Sequence, residues 1–455
     1  MRKALLSAFL VIYNLTGIAQ SNFNNLYDYN LEAQFGVGVI IISDSTYLIS
    51  SISNNYDSLY QRILFANVAP SGNLLSINYE YDSATYYFLE LSGSLHQIDD
   101  LSYYSSGTAI NNISNGCNSI LVFYNLNADS LQMIKYSSFT CEIVYHSCYT
   151  SDGRFLMVGG NGNNMSDLPD FFLTKIDTDL NLMWKKTYES SGYDIALKVF
   201  ESENNSYIVS GIKNLTSQSE TTWIIKLDTS GNIIAQKEFN FEPYKCTDGR
   251  FTFLNENYLM CGCLDTVYNI SDDPHPVYVA KLDTNFNVVW RSDFHGPEIR
   301  AISLVKQLPD STIVFIGEKF NLAEIPLGWI VKLDKNGNTL WERTYFKSQT
   351  IDNYFADFQQ TYDKGFIVTG SAFGPTQDVW LVKLDSMGCL DPNDCTFNTG
   401  TIEVGQELTS LSVFPNPAAS QITLLYNLPI SATDAVISFY DITGRLIHQV
   451  QPNPP

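Results

Sequence analysis

Several groups of residues in this chain stand at spacings that chemistry uses. The turns DTDLN (Asp177, Asp179, Asn181), DTNFN (Asp283, Asn285, Asn287) and DKNGN (Asp334, Asn336, Asn338) set oxygen atoms at alternate positions, a pattern that suits Ca²⁺. A full calcium loop also places a bidentate Glu near its end, and none of the three does so. Asp, Asn and Gly are equally what a tight hairpin wants, so the expectation is a structural turn, with Ca²⁺ as the alternative. A recurring lysine (Lys175, Lys226, Lys281, Lys332, Lys383) invites a ring of positive charge, but the simpler expectation is an outward strand residue paired with acidic neighbours.

Acid–base and nucleophilic signatures are thin. The five histidines, His96, His146, His275, His295 and His448, are scattered and form no H-E-x-x-H. His275 in SDDPHP and His295 in DFHGPE read as surface residues near carboxylates. No G-x-S-x-G elbow occurs, and GGNGNN (Gly159 to Asn164) lacks the third glycine of a phosphate loop. Eight cysteines permit disulfides, and Cys389 and Cys395, which flank LDPND, are the candidate pair. Cys261 and Cys263 share a face of one strand-like run. Without CxxC pairs or a histidine cluster, no zinc site is assigned. The expectation is therefore no catalytic, cofactor-binding or metal residue, and a chain that is not an enzyme.

Composition bounds the partners. Charged residues are 16% and aromatics 13%, which excludes a disordered chain and favours pleated surfaces. A net charge of −22 repels phosphate backbones, so nucleic acid is not an expected partner. The opening MRKALLSAFLVIYNLTGIAQS has basic Arg2 and Lys3, an apolar run, and small residues Gly17 and Ala19, and reads as a signal peptide over 1–19. No later segment has the length of a membrane span.

The elements that would position any site come from repetition. The lysine of the KLD sequence recurs at spacings of 51, 55, 51 and 51 residues. A strand ending in glycine keeps step with it at Gly159, Gly211, Gly262, Gly317 and Gly370. Weaker copies place Asn67 and Asn125 at the lysine position, which makes seven units. Each unit reads as four short strands with turn punctuation, and helical periodicity is nearly absent. This predicts an all-β, seven-bladed β-propeller over 20–395. In WIVKL, Trp329, Val331 and Leu333 take one face and Ile330 and Lys332 the other. Trp184, Trp290 and Trp341 each stand nine residues after their lysine, where they would fill the gap between blades; Ala235 and Ile134 replace them in two units. The last unit lacks a fourth strand, and the segment NFNNLYDYNLEAQ is expected to supply it and close the ring.

A polar linker covers 396–409 and a second domain 410–455. The stretches VFPNPAASQITL (Val413 to Leu424) and VISFYDITGRLI (Val436 to Ile447) resemble the C-terminal sorting domain of type IX secretion cargo in Bacteroidetes-like bacteria. That resemblance implies a small β-sandwich, with Pro415, Asn416, Pro417, Asp441, Gly444 and Arg445 as its motif residues, and the type IX secretion machinery as a partner. The family continues for a further strand pair, so the domain is expected to be truncated. The propeller units resemble KLD-and-Trp repeats of secreted bacterial proteins and, more loosely, quinoprotein-type blades, which implies architecture and not activity. The resulting expectation is a secreted or cell-surface binding or adhesion module. Its binding face would be the variable loops between strands two and three, and its ligand an extracellular glycan or protein. The alternatives are an extracellular propeller enzyme, quinone-dependent or polysaccharide-active, and a structural surface protein.

Overall fold

In the computed structural model, the described residues are 22–28, 33–42, 46–55, 60–81, 85–90, 93–111, 116–136, 141–162, 170–188, 192–202, 205–213, 221–239, 245–254, 257–265, 276–296, 298–321, 323–347, 351–373 and 376–391, with the strands 410–414, 423–427, 437–440 and 446–450 beyond them. Contacts divide the chain into two units, Met1–Asn398 and Thr399–Pro455.

The first unit is a seven-bladed propeller of antiparallel sheets. Blades I to VI run over 33–81, 85–136, 141–188, 195–239, 245–294 and 299–345, each in chain order from the channel outward. Blade VII takes three strands from 353–384 and its outermost from Phe23–Tyr27, which pairs antiparallel with Gln377–Leu384. Trp380 Nε1 donates to Asn24 Oδ1 at 2.6 Å across that seam. The ring is therefore closed by hydrogen bonds between its two chain ends, and no blade edge is left open there.

Alternation in the third strands does what the sequence pattern requires. Trp329, Val331 and Leu333 pack into the core between blades V and VI, and Ile330 into that between blades VI and VII. Both faces of each sheet are covered, which is why these strands carry near-continuous Val, Ile and Leu.

The outer rim joins the blades by one repeated device. The turn that follows strand three of every blade holds a residue in the left-handed region: Gly72, Asp129, Leu180, Gly231, Phe286, Gly337 and Gly388. The preceding blade donates a hydrogen bond to that turn. Tyr27, Tyr136, Tyr188, Ser292 and Tyr345 hydroxyls reach the carbonyls of Gly72, Leu180, Gly231, Gly337 and Gly388. Lys237 Nζ reaches the carbonyl of Phe286, and the Asn78 amide reaches the Asp129 carboxylate. Where the preceding blade carries Trp184, Trp290 or Trp341, the turn residue is glycine, and a Cβ on it would lie 2.7–2.9 Å from the indole. Where it carries Ala235 or Ile134, the turn residue is Phe286 or Leu180. The slot is filled from one side or the other.

The Asp turns are Asx turns. Asp177, Asp228, Asp283 and Asp334 each accept backbone N–H bonds from residues two and four ahead, and a side-chain amide bond from the asparagine four ahead. The oxygens that resembled calcium ligands are spent on the turn itself. Lys175 and Lys383 are not outward strand residues, which corrects the sequence reading for those two, while Lys226, Lys281 and Lys332 are half-buried. Lys175 and Lys383 are buried, because each extends to the Asp in the strand-one-to-two turn of its own blade: Asp152 at 4.0 Å and Asp363 at 2.9 Å, with Lys332 to Asp310 at 3.7 Å. The expected pairing with acidic neighbours is present, and it lies within each blade.

Cys117 and Cys141 form a disulfide that ties blade II to blade III. Burial pushes the Cys148 thiol up to about 12. Cys389 is disulfide-bonded, and Cys395 lies outside the described residues. In the second unit, Ser410–Phe414 pairs antiparallel with Thr423–Asn427, and Ile437–Tyr440 with Leu446–Val450. Pro415, Asn416, Pro417, Asp441, Gly444 and Arg445 fall between those strands, outside the described residues, as do the signal segment and His275.

Candidate functional site in the propeller channel

The innermost strands carry an irregularity that the repeat does not advertise. In blades I, III, IV, VI and VII the register slips by one residue, between Gly36 and Gly38, Val144 and His146, Ala196 and Lys198, Ile302 and Leu304, and Phe355 and Asp357. These are β-bulges, which bend a strand and re-aim the side chain that follows. They also explain the glycine that ends the second strand. A Cβ on Gly159, Gly211, Gly317 or Gly370 would lie 1.7–2.1 Å from the carbonyl oxygen of the bulging strand opposite. The glycine is needed because the bulge presses on it.

Blade II replaces its bulge with a detour. Its inner strand breaks into Thr85–Leu89 and His96–Gln97, both paired with Ser102–Asn111. Gly107 marks the break, since its Cβ would meet the Phe88 carbonyl at 2.0 Å. The detour crosses the channel. Leu95 packs where Gly38 of blade I leaves room, and the Cβ position of Gly93 comes within 3.9 Å of Leu304 in blade VI and Asp357 in blade VII. Gly93 itself has φ +63, a conformation glycine adopts without penalty.

The detour and the re-aimed residues enclose a cavity of about 370 Å³. Its wall carries His96, His146, Lys198, Thr252, Lys306, Gln307 and Asp357, with Leu95, Phe200 and Leu304 as the apolar part. It lies toward the later halves of the inner strands, the end that bears the strand-one-to-two turns. The loops between strands two and three, expected to bind, belong to the opposite end and lie largely outside the described residues.

The polar wall has two centres. Asp357 is buried and accepts from Val39 N–H at 3.0 Å, Phe358 N–H at 2.7 Å and Lys306 Nζ at 2.7 Å. It clasps blades VI, VII and I together. The second centre is Glu90, also fully buried. Its Oε1 accepts from the Ser106 hydroxyl at 2.5 Å and the Ser147 hydroxyl at 2.7 Å. Its Oε2 faces His96 Nε2 at 3.3 Å and His146 Nε2 at 3.9 Å. Ligand atoms of Glu90, His96 and His146 all lie within 4.8 Å of one another, a donor set that fits a metal ion. The His96 ring stacks on Tyr104 at 4.9 Å and meets the His146 ring edge-on at 5.5 Å. Val199 N–H donates to His146 Nδ1 at 3.3 Å. Burial, followed by Lys198 and His96, holds the His146 pKa well below the ordinary imidazole value.

The sequence scatter of the histidines is thus misleading for two of the five. His96 and His146 lie 50 positions apart yet share one buried carboxylate. The available signal was the second-strand glycine: two residues beyond the partner of Gly159 stands His146, and beyond that of Gly211 stands Lys198.

Comparisons with known proteins give one family match, in the second unit, and similar solved structures. Residues 412–453 match the secretion system C-terminal sorting domain family. That segment marks the chain for export to the cell surface or extracellular space. The β-propeller domain of the Trilobed protease from Pyrococcus furiosus is similar to this chain at 10% identity, with a TM-score of 0.44 over 80% of this chain and 99% of that one. A neuraminidase-like protein from A/bat/Guatemala is similar at 12% identity, with a TM-score of 0.40 over 67% of this chain and 90% of that one. No curated protein matches the sequence. Among the described residues no helix is long and apolar enough to cross a membrane.

Proposed function

We infer that this exported propeller is a binding protein that holds a small polar molecule in its plugged channel. One observation carries the reading. The blades repeat closely in their outer strands, yet the post-bulge tier differs at each blade described: Gly38, His146, Lys198, Leu304 and Asp357. Packing alone asks for the same residue in each blade, whereas a site needs different ones. The wall is rich in donors, from Lys198, Thr252, Gln307 and the histidines, with Phe200 as an aromatic face. A volume of about 370 Å³ is at the small end of ligand pockets. Together these suit an acceptor-rich, one-ring ligand such as an acidic sugar.

The test is thermal unfolding of the full chain against neutral and acidic monosaccharides, because a ligand of the native state raises the midpoint by mass action. The reading predicts a rise with a uronic acid that Lys198→Ala reduces. A rise of equal size in the variant would contradict it.

The enzyme reading is favoured by one specific feature, the buried Glu90 held beside two imidazoles at the cavity wall. Turnover of a bound glycoside by the wild type but not by His96→Ala would establish it.

A further inference from the structure

We propose that Glu90, His96 and His146 bind one divalent first-row transition ion on the cavity wall. Two edges of the ligand triangle are 3.3 and 3.9 Å with the side chains as they stand, and the third is within 4.8 Å. Four-coordinate zinc, with bonds of about 2.0–2.2 Å, sets its ligand atoms about 3.4 Å apart. Side-chain movements of about an ångström therefore bring all three into range. The longer contact, from His146, exceeds a hydrogen bond and is close to the separation of two ligands of one ion.

The donor set selects the class of ion. Two imidazoles with one carboxylate suit zinc, iron, cobalt or nickel, whereas calcium and magnesium take oxygen ligands throughout. Glu90 is already supported as a ligand should be: Ser106 and Ser147 hydroxyls hold Oε1 and turn Oε2 toward the histidines. His96 is braced by its stack on Tyr104. Both imidazoles line the cavity, so a fourth position faces it. Only this last point rests on the cavity being a ligand site: a water, or an oxygen of the bound molecule, would take that position.

One contact must be exchanged. Val199 N–H donates to His146 Nδ1, so the ring now carries its proton on Nε2. An ion at Nε2 takes the other tautomer and gives up that 3.3 Å bond. Lys198, which lines the same cavity as both imidazoles, also opposes a cation. The Glu90 charge offsets it.

The test is titration of the metal-free full chain with Zn²⁺ by calorimetry, and with Co²⁺ by visible absorption, with no saccharide present. The expected result is one equivalent bound, a Co²⁺ spectrum of four-coordinate intensity, and no competition from Ca²⁺. His96→Ala and His146→Ala should each weaken binding at least tenfold, since even outer-shell partners are worth about 10–100-fold. His295→Ala, which removes a histidine outside the cluster, should leave it unchanged. Far-ultraviolet circular dichroism of each variant separates lost ligation from lost folding, and His96→Gln supplies a milder second substitution. No stoichiometric binding, binding indifferent to both alanine variants, or a six-coordinate Co²⁺ spectrum would overturn the proposal. Saccharide binding that persists without metal would leave the binding reading standing while the metal result decides this one.

Discussion

Ala235→Trp should partly rescue Phe286→Gly. Phe286 is 4% exposed and packs on Tyr258 at 5.3 Å, filling from blade V the slot that Trp184, Trp290 and Trp341 fill from the preceding blade elsewhere. Truncating a buried phenylalanine costs about 3–5 kcal/mol. Glycine relieves the left-handed φ of +61, worth about 1 kcal/mol, and gives back roughly the same through its freer unfolded chain. The single Phe286→Gly change should therefore cost about 3 kcal/mol. Alone, Ala235→Trp finds its slot occupied and should change stability by less than about 1 kcal/mol. Combined, the indole enters the vacated slot and buries about 100 Å² of apolar surface, returning about 2 kcal/mol. The interaction energy should thus be about 2 kcal/mol, inside the range for residues in contact. Urea denaturation of the four proteins, with slopes compared to confirm a common transition, measures it. Additivity within about 0.5 kcal/mol would refute the idea that Trp and turn residue share one slot.

Three further outcomes follow from the same geometry. Tyr345→Phe deletes a buried 2.6 Å hydrogen bond to the Gly388 carbonyl and should lower stability by about 1 kcal/mol, read from the urea midpoint. Replacing both Cys117 and Cys141 by serine, which opens a 24-residue link between blades, should cost about 3 kcal/mol and reduce the sensitivity of the melting temperature to reductant, the Cys389 disulfide accounting for what remains. Backbone bonds from Asn181, Asn232 and Asn287 hold the carboxyls of Asp177, Asp228 and Asp283 below the usual range, and the side-chain amide of Asn338 leads for Asp334. A depressed folded-state pKa gives stability that is present above the unfolded value near 4 and is lost as pH falls through the folded one. The urea midpoint should hold from pH 7 to about 5 and fall below about 4, and replacing all four by asparagine should flatten that fall.

The outer three strands of each blade were legible because packing repeats. Similar neighbours ask for a similar aromatic-led face in the third strand, an Asp–Asn turn in four of the units and the second-strand glycine in five. The lysine was misread because its partner stands about 20 residues upstream in an unrelated-looking turn, as Asp363 does for Lys383. The site was hidden for a deeper reason. Bulges are defined by pairing, and pairing cannot be counted in a single sequence. Glu90 and His96 also sit in a detour found in one blade alone, so no register points to them. The glycine was visible throughout as punctuation. Its cause, a carbonyl of the bulging strand 1.7–2.1 Å from where a Cβ would be, was not.

The most direct test of the account is a crystal structure of the full chain grown with the saccharide that most raises its melting temperature. The account predicts density in the channel cavity, against Lys198, Gln307 and Phe200 and beneath the detour that ends at His96. Density confined to the end that bears the loops between strands two and three, with the cavity occupied only by solvent, would contradict it.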